Sequence, residues 1–405
     1  MRSTPPTAVV AGHICLDIIP TFDARQSPSG PLLEPGKLIH VGPPTLATGG
    51  AVSNTGLALH RLGITTRLMG KIGDDLFGRA ILDIICSRDA ALAAGMIRSG
   101  SPSSYTIVIN PPGLDRSFLH CPGANDTFGA DDVDLAQVAS ADLFHFGYPP
   151  LMRRMYEDGG RELITLLARV KAQGVATSLD MAHVDVDAPA GRTDWTALLQ
   201  RVLPSVDFFL PNLEEALFVV DRPRSERLAA TGSEELLALA GLPLLRELGD
   251  RLLALGAAVV GLKLGDQGLY LRTTPDGARL AQAGRLRLDE RWTGRELLAP
   301  AFQVKVAGTT GAGDCAIAGF LAAVLRGLGP EAALSAAVGA GACNVEAPDA
   351  ISGMPTWDAL QSRLAGGWAQ TPLRVPLSEW QPSAQGHCWA GPNDRTHGGS
   401  TLPRL

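Results

Sequence analysis

Thr310-Gly311-Ala312-Gly313-Asp314 joins two glycines and a carboxylate between the short apolar stretch from Val304 and a long apolar run, Ala316 to Leu325. The pattern predicts a strand that ends in a glycine turn and opens a helix. Gly311 and Gly313 let a ligand approach the backbone, and the first amides of a helix have no partner inside it. Those amides point outward and carry the positive end of the helix dipole. The turn therefore suits an anion, above all a phosphate. Asp314 falls beside that anion hole, where a carboxylate is repelled unless it has a task. The task available is to take a proton from an attacking hydroxyl while the amides hold the moving phosphoryl group. No Gly-Lys-Ser/Thr closes the turn, so it is not a Walker A loop. Cys315 reads as a small core residue.

A second glycine pair stands far upstream, in Thr48-Gly49-Gly50-Ala51-Val52-Ser53-Asn54. It opens a helical spacing of Leu57, Leu59 and Leu62 that Gly63 ends. Asn54 directs an amide toward the same helix start. Asp17 lies just past the apolar run Ala8–Ala11 and Gly12. In an open α/β sheet, ligands bind at the carboxyl ends of strands, where such an Asp accepts hydrogen bonds from a polyol. Two later strands also end in polar groups, Val206–Leu210 in Pro211-Asn212-Leu213-Glu214-Glu215 and Ala257–Leu264 in Gly265-Asp266-Gln267-Gly268. Tyr148 and Asp180 stand at strand ends as possible substrate contacts. Asp74 and Asp75 read as turn and cap residues, and His13, His145 and His183 as structural.

The elements that must position these groups alternate. Further strands are expected at Thr66–Met69, Ala141–Phe146, Ala176–Leu179 and Leu269–Arg272. Helices are expected at Arg79–Cys86, Gly159–Gln173, 316–326, 331–345 and 356–364. The alternation predicts a mostly parallel sheet with helices on both faces. Segments 18–47 and 103–121 break it. The first contains a strand pattern at Lys37–Val41; the second reads as a hairpin, Ser104–Ile109 and Ser117–His120, with Arg116 on it. Together they predict a small β flap over the body. Residues 275–298 read as a polar loop insertion and 366–405 as an irregular tail, leaving 1–365 as one domain.

The chain has 405 residues, 45% apolar and 19% charged, which places it among globular proteins. Its net charge of −6 argues against nucleic acid as a partner. The six cysteines, at 15, 86, 121, 315, 343 and 388, form no C-x-x-C pair, so reduced thiols are expected rather than a zinc site or disulfides. Met1–Thr7 has no signal-peptide pattern and no run reaches membrane-spanning length, so a cytoplasmic location is expected.

Four landmarks in order make the chain resemble the ribokinase-like (PfkB-type) carbohydrate kinases from about Val9 to Pro355. They are Gly12 with Asp17; Gly49-Gly50 with Asn54, Gly63 and Gly73-Asp74-Asp75-x-x-Gly78; Asn212-x-x-Glu215; and Thr310-Gly311-Ala312-Gly313-Asp314. The resemblance implies a ribokinase-like three-layer α/β sandwich whose β flap closes over a sugar. It implies transfer of the terminal phosphate of ATP, with Mg²⁺, to a sugar or nucleoside hydroxyl. Asp314 would be the general base and Gly311, Ala312 and Gly313 the anion hole. Asp17, Gly49, Gly50 and Asn54 would hold the sugar. Asn212, Glu215, Gly265, Gly268 and Thr310 would border the nucleotide, with Glu215 on magnesium through water. Flaps of this kind often pair, so a homodimer is expected.

Four positions depart from the family pattern. Gly308 stands where many members carry an Asp that helps bind an activating monovalent cation, and Asp349 where Gly is usual, so potassium activation is not expected. Val52 replaces a small residue and is expected to narrow the sugar pocket or shift its wall; Gly56 replaces a small non-glycine helix residue and is expected to allow close packing. A nucleoside kinase of the same family is the alternative, disfavoured by 5% aromatics with few near the flap (Phe118, Phe128, Tyr148). A weak sugar- or nucleotide-binding sensor is the rival of another class, disfavoured by the intact Asp314.

Overall fold

The computed structural model describes residues 5–22, 35–111, 117–229, 233–383 and 387–395. The strands among them are β1 (Thr7–Gly12), β2 (Cys15–Pro20), β3 (Pro44–Gly49), β4 (Thr65–Gly73), β5 (Ile97–Ser99), β6 (Tyr105–Ile109), β7 (Ser117–Cys121), β8 (Leu143–Gly147), β9 (Ala176–Leu179), β10 (Phe208–Phe209), β11 (Val259–Lys263), β12 (Leu269–Thr273), β13 (Glu296–Ala299), β14 (Gln381–Pro382) and β15 (Trp389–Ala390). Eleven form one sheet in the order β14-β15-β13-β12-β11-β10-β9-β8-β1-β4-β5, and the other four form a small sheet, β3-β2-β6-β7. From β5 through β11 the large sheet is parallel, and β12, β13, β15 and β14 extend it antiparallel.

The apolar run of β1 is continuous because both of its faces are covered. Ala8 and Val10 enter one apolar cluster with the helices Ala51–Arg61, Leu76–Cys86, Ala312–Leu325 and Pro330–Val345. Val9 and Ala11 enter the opposite cluster with the helices Arg161–Ala172, Trp195–Val202 and Leu213–Val220. This is the three-layer sandwich expected from the sequence. The strand order turns about β1: the chain leaves it for β4 on one side and reaches β8 on the other. Ligand sites in such sheets open at the carboxyl ends beside that reversal. His13, Tyr148, Asp180, Asn212 and Lys263 all stand at or just beyond the carboxyl ends of parallel strands.

Four segments differ from expectation, the first being the stretch from Val304, which forms no strand before the Gly311 turn. The flap strand falls at Pro44–Gly49 rather than at Lys37–Val41, and pairs with β2 throughout. The 275–298 stretch is not merely a loop: it contains a helix, Gly277–Ala281, and its end lies within the buried strand β13. Glu296 hid that strand. Its carboxylate is fully buried, yet it is held by Arg246 Nε at 2.9 Å, the Tyr270 hydroxyl at 3.2 Å and the Asn393 amide at 2.8 Å. The tail is also ordered where described, since β15 pairs with β13 and β14 with β15. Arg116 and residues 396–405 lie outside the described residues.

Candidate active site

Asp314 sits in the first turn of the Ala312–Leu325 helix and is 4% exposed. Gly311 precedes that helix with φ 73°, a left-handed conformation that glycine adopts without strain. A side chain there would also lie 2.8 Å from Ala350 Cβ. Three donors hold the carboxylate: Asn54 Nδ2 at 3.0 Å and the Tyr148 hydroxyl at 2.7 Å on Oδ2, and Thr55 Oγ1 at 3.2 Å on Oδ1. Asn54, expected on the sugar, thus directs its NH₂ at the base and leaves its Oδ1 without a partner. Burial, then the charge of Asp314, keeps the Tyr148 phenol protonated by raising it well above its ordinary value. Tyr148 holds a left-handed backbone, φ 67°, which is costly for a residue with a side chain and marks a constrained position.

Lys263, which the sequence reading passed over, approaches the same turn. Its Nζ would stand 3.6 Å from a Cβ on Gly313, close beside the expected anion hole. It pairs with Asp180 at 2.8 Å. Burial pushes Asp180 and Glu215 above the usual carboxylate range, with Lys263 pulling both back. Burial alone would lower Lys263, but Asp180 and then Glu215 outweigh it and hold the ammonium above its ordinary value. Asn212 and Glu215 form a reciprocal cap: Asn212 Oδ1 accepts from the Glu215 amide at 2.7 Å, and Glu215 Oε2 from the Asn212 amide at 2.8 Å. These groups line a cavity of about 690 Å³ with Asp314, Gly311, Gly313 and Gly265.

A second cavity, about 680 Å³, adjoins it through Lys263, Gly265, Asp266, Ala312 and Gly313. Its wall is mainly apolar, with Leu269, Phe302, Val304, Val338 and Val345, and Gly268 borders it. Thr310 contributes its carbonyl oxygen to Asn344 Nδ2 at 2.8 Å, tying the glycine turn to the Pro330–Val345 helix.

The small sheet joins this site through His13, whose ring centroid stands 6.1 Å from that of Tyr148. Register places Ala47, Asp17, Thr106 and His120 in one row across β3, β2, β6 and β7. Thr106 Oγ1 meets His120 Nδ1 at 2.9 Å, and His120 Nε2 reaches His13 Nε2 at 3.3 Å, linking flap to body. Cys15 Sγ donates to Asp17 Oδ1 at 3.3 Å. Burial raises Asp17 to about 6, despite hydrogen bonds from Cys15 and Thr106 that favour its charge. Burial, then His120, lowers His13 to about 3. The two glycines make room for this group: a Cβ on Gly49 would lie 2.3 Å from Asp17 Oδ2, and one on Gly50 2.5 Å from His13 Nδ1.

The departures have physical readings. A Cβ on Gly308 would lie 2.8 Å from the Pro348 carbonyl oxygen, so an Asp does not enter without moving that loop. Asp349 caps its own turn, accepting from the Ile351 and Ser352 amides at 2.8 and 2.7 Å. Val52 is fully buried in the apolar core rather than narrowing a pocket. Gly56 does admit close packing, since a Cβ there would lie 2.2 Å from Leu68 Cδ2. Asp75 caps the Leu76–Cys86 helix as expected, accepting from the Gly78 amide at 2.8 Å. Lys263 had a signal in the sequence, a lone lysine closing a buried apolar strand, because a lysine is rarely buried unpaired. Thr55 and His120 had none, since their roles depend on contacts across 259 and 107 residues.

The pfkB family carbohydrate kinase profile matches residues 7–357. A 2-dehydro-3-deoxygluconokinase of Bacillus subtilis is 25% identical over 82% of this chain and 91% of its own. An uncharacterised sugar kinase of Archaeoglobus fulgidus is 24% identical over 67% and 87%. The fold is that of an Arabidopsis thaliana ribokinase solved with ribose and ATP, at TM-score 0.66 and 20% identity over 89% of this chain and 99% of that one. Among the described residues no helix is long and apolar enough to cross a membrane. A buried carboxylate at a glycine-led helix start, a lysine beside it and a flap above the sheet's carboxyl edge fit that profile: the chain belongs to the pfkB family of carbohydrate kinases.

Proposed function

We propose that this kinase moves the terminal phosphoryl group of ATP to a hydroxyl of a free, uncharged sugar, with Asp314 as general base. The observation that carries the reading is the position of Asp314. It is buried, fixed by three donors, and lines the cavity that holds Lys263 and the Gly311–Gly313 turn. The sugar would lie under the flap against Asp17 and the free oxygen of Asn54, with Gly49 and Gly50 behind. ATP would place its phosphates beside Gly311, Ala312, Gly313, Asn212 and Thr310, and its nucleoside past Gly265 and Gly268 in the apolar cavity.

Asp314 takes the proton of the acceptor hydroxyl as its oxygen bonds to the terminal phosphorus. The bond from that phosphorus to the bridging oxygen breaks, and ADP leaves. The helix amides and Lys263 meet the charge on the transferring group. Flap closure excludes water, which would otherwise accept the phosphate. The residues fit magnesium held mainly by phosphate and water: Asp180, Glu215 and Asp314 crowd one lysine, leaving negative charge to offset. Among the described residues no cluster of three His, Cys, Asp or Glu could hold an ion by itself. When bound, the ion would screen the phosphates so that Asp314 can work near them.

The flap row supports a neutral substrate, as Thr106 and His120 offer hydrogen-bonding groups and its one charged group, the Asp17 carboxylate, would repel an anion. A nucleoside gains little support from Phe128, fully buried in the core, or Tyr148, engaged on Asp314, which leaves Phe118, 57% exposed on β7, as the one of the three aromatics open to a base. The Gly308 environment supports activity without potassium.

The test is ADP release from Mg-ATP against a panel of sugars, sugar acids and nucleosides, with and without potassium. One neutral sugar should turn over, potassium should change the rate less than about twofold, and Asp314→Ala should lose about 10²–10⁴-fold in kcat with ADP binding kept. Normal turnover by Asp314→Ala would overturn the assignment of the base.

A further inference from the structure

Residues 366–374 lie past residue 357, where the family match ends, yet they pack onto both cavities' rims. Trp368 stacks on Phe302, centroids 4.4 Å apart and planes at 15°, with the Arg363 guanidinium 3.7 Å above the Trp368 ring. The Trp368 indole donates to the Gln303 carbonyl at 3.0 Å. The Thr371 amide donates to Ala301 at 2.7 Å and the Gln303 amide to Ala369 at 2.9 Å. Phe302 and Thr371 both line the apolar cavity. The segment therefore fixes one wall of that cavity and supplies part of it.

Arg374 reaches the Gly265–Gly268 loop from the same segment. Its guanidinium pairs with the Asp266 carboxylate, and its backbone amide meets the Gln267 side chain at 2.7 Å. An amide N–H only donates, so the Gln267 atom that meets it is Oε1 and the other is the NH₂. That NH₂ is buried without a partner, although the residue is only 3% exposed and lines the cavity of Asp314. A buried donor left unpaired is costly, and such groups mark ligand positions when they face a cavity.

We propose that the segment 366–374 completes the nucleotide site, with Thr371 walling the nucleoside, Trp368 backing the Phe302 wall, and Arg374 turning Gln267 so that its NH₂ donates to an oxygen of the bound nucleotide. The inference rests on the nucleotide reading given above. It assigns a binding role to residues the family profile does not reach.

Gln267→Glu tests it, because the variant keeps an oxygen for the Arg374 amide and replaces the donor with an acceptor. ADP is titrated calorimetrically into the full-length protein, and sugar KM and Tm are measured beside it. ADP should bind at least about tenfold more weakly, with sugar KM within about twofold and Tm unchanged. Trp368→Ala should weaken ADP in the same direction. Unchanged ADP binding by both variants overturns the inference and leaves the kinase reading standing. Equal losses in sugar and ADP binding, or a fallen Tm in Gln267→Glu, make the residue structural and also overturn it. No ADP binding by the wild type overturns the nucleotide reading itself.

Discussion

Lys263 and Asp180 pose the sharpest question at the scale of residues, since a buried ion pair is weak evidence of stability by itself. Removing one partner strands the other. Lys263→Met should therefore lower stability by up to about 3 kcal/mol, less if Asp180 takes a proton instead. It should also cost about 10²–10³-fold in kcat, the loss expected when one charge-stabilising donor is removed. Adding Asp180→Asn should restore Tm in thermal unfolding but not kcat; recovery of both would make the lysine structural. Asp17 carries a pH signature. Raised by burial to about 6, it is protonated below that value and ionised above. If the ionised form accepts the sugar's hydroxyls, KM for sugar falls as pH rises through about 6 and is level beyond. His13, lowered to about 3, stays neutral there and does not supply the limb, and burial lowers His120 as well. Asp17→Asn should abolish it. The stability effect has the opposite sign: Asp17's contribution to folding is fullest below its unfolded value and is lost as pH rises through about 6. Asp17 and Asp314 were legible in the sequence because glycine turns and strand ends announce them. Asn54 was legible as a site residue but not in its orientation, which depends on a helix 260 residues away.

At the scale of elements, the Ala312–Leu325 helix must hold Asp314 still, and its contact with Pro330–Val345 does so through small residues. A Cβ on Gly319 would lie 2.4 Å from the Ala336 carbonyl oxygen and 2.7 Å from Ala340 Cβ. Both obstacles are backbone or its nearest carbon, so neither can swing aside. Gly319→Ala should therefore force the helices apart and cost about 1–3 kcal/mol, read as a lowered Tm with kcat falling as Asp314 shifts. An unchanged Tm would mean the pair already has slack. The parallel strands of this body were readable because burial on both faces leaves uninterrupted apolar runs, as in β1, β8 and β11. The antiparallel edge was not. β13 starts on a buried glutamate, and β14 and β15 have two residues each, too short for any periodicity. Their order comes from partners such as Arg295 Nε, which meets Asp394 at 3.0 Å across 99 positions. No local pattern contains such a pairing.

For the whole molecule, the flap has two faces that differ in chemistry. The row that reaches His13 is Ala47, Asp17, Thr106 and His120; the next row, on the opposite face, is Leu46, Ile18, Ile107 and Leu119. Strand alternation makes this division inevitable once Asp17 points inward. Leu46 is 50% exposed and Leu119 48%, at the two outer strands of the sheet. An apolar row running across a small sheet is poorly served by water, and among the described residues its two ends, Leu46 and Leu119, stay half exposed. We propose that the flap of a second copy covers it. A two-fold contact would set Leu46 of one protomer toward the same row of its partner, because the patch must complement itself. Light scattering after size exclusion should then give about twice the chain mass, and Leu46→Asp with Leu119→Asp should give the monomer. The charge changes lie on the face away from Asp17, so sugar chemistry reports separately on what pairing does. If the flap needs its partner to hold the closed arrangement, the monomeric variant should raise sugar KM and leave ADP binding intact. A wild-type chain that stays monomeric at high concentration would remove the partner, and the apolar row would then have to be covered from within the chain.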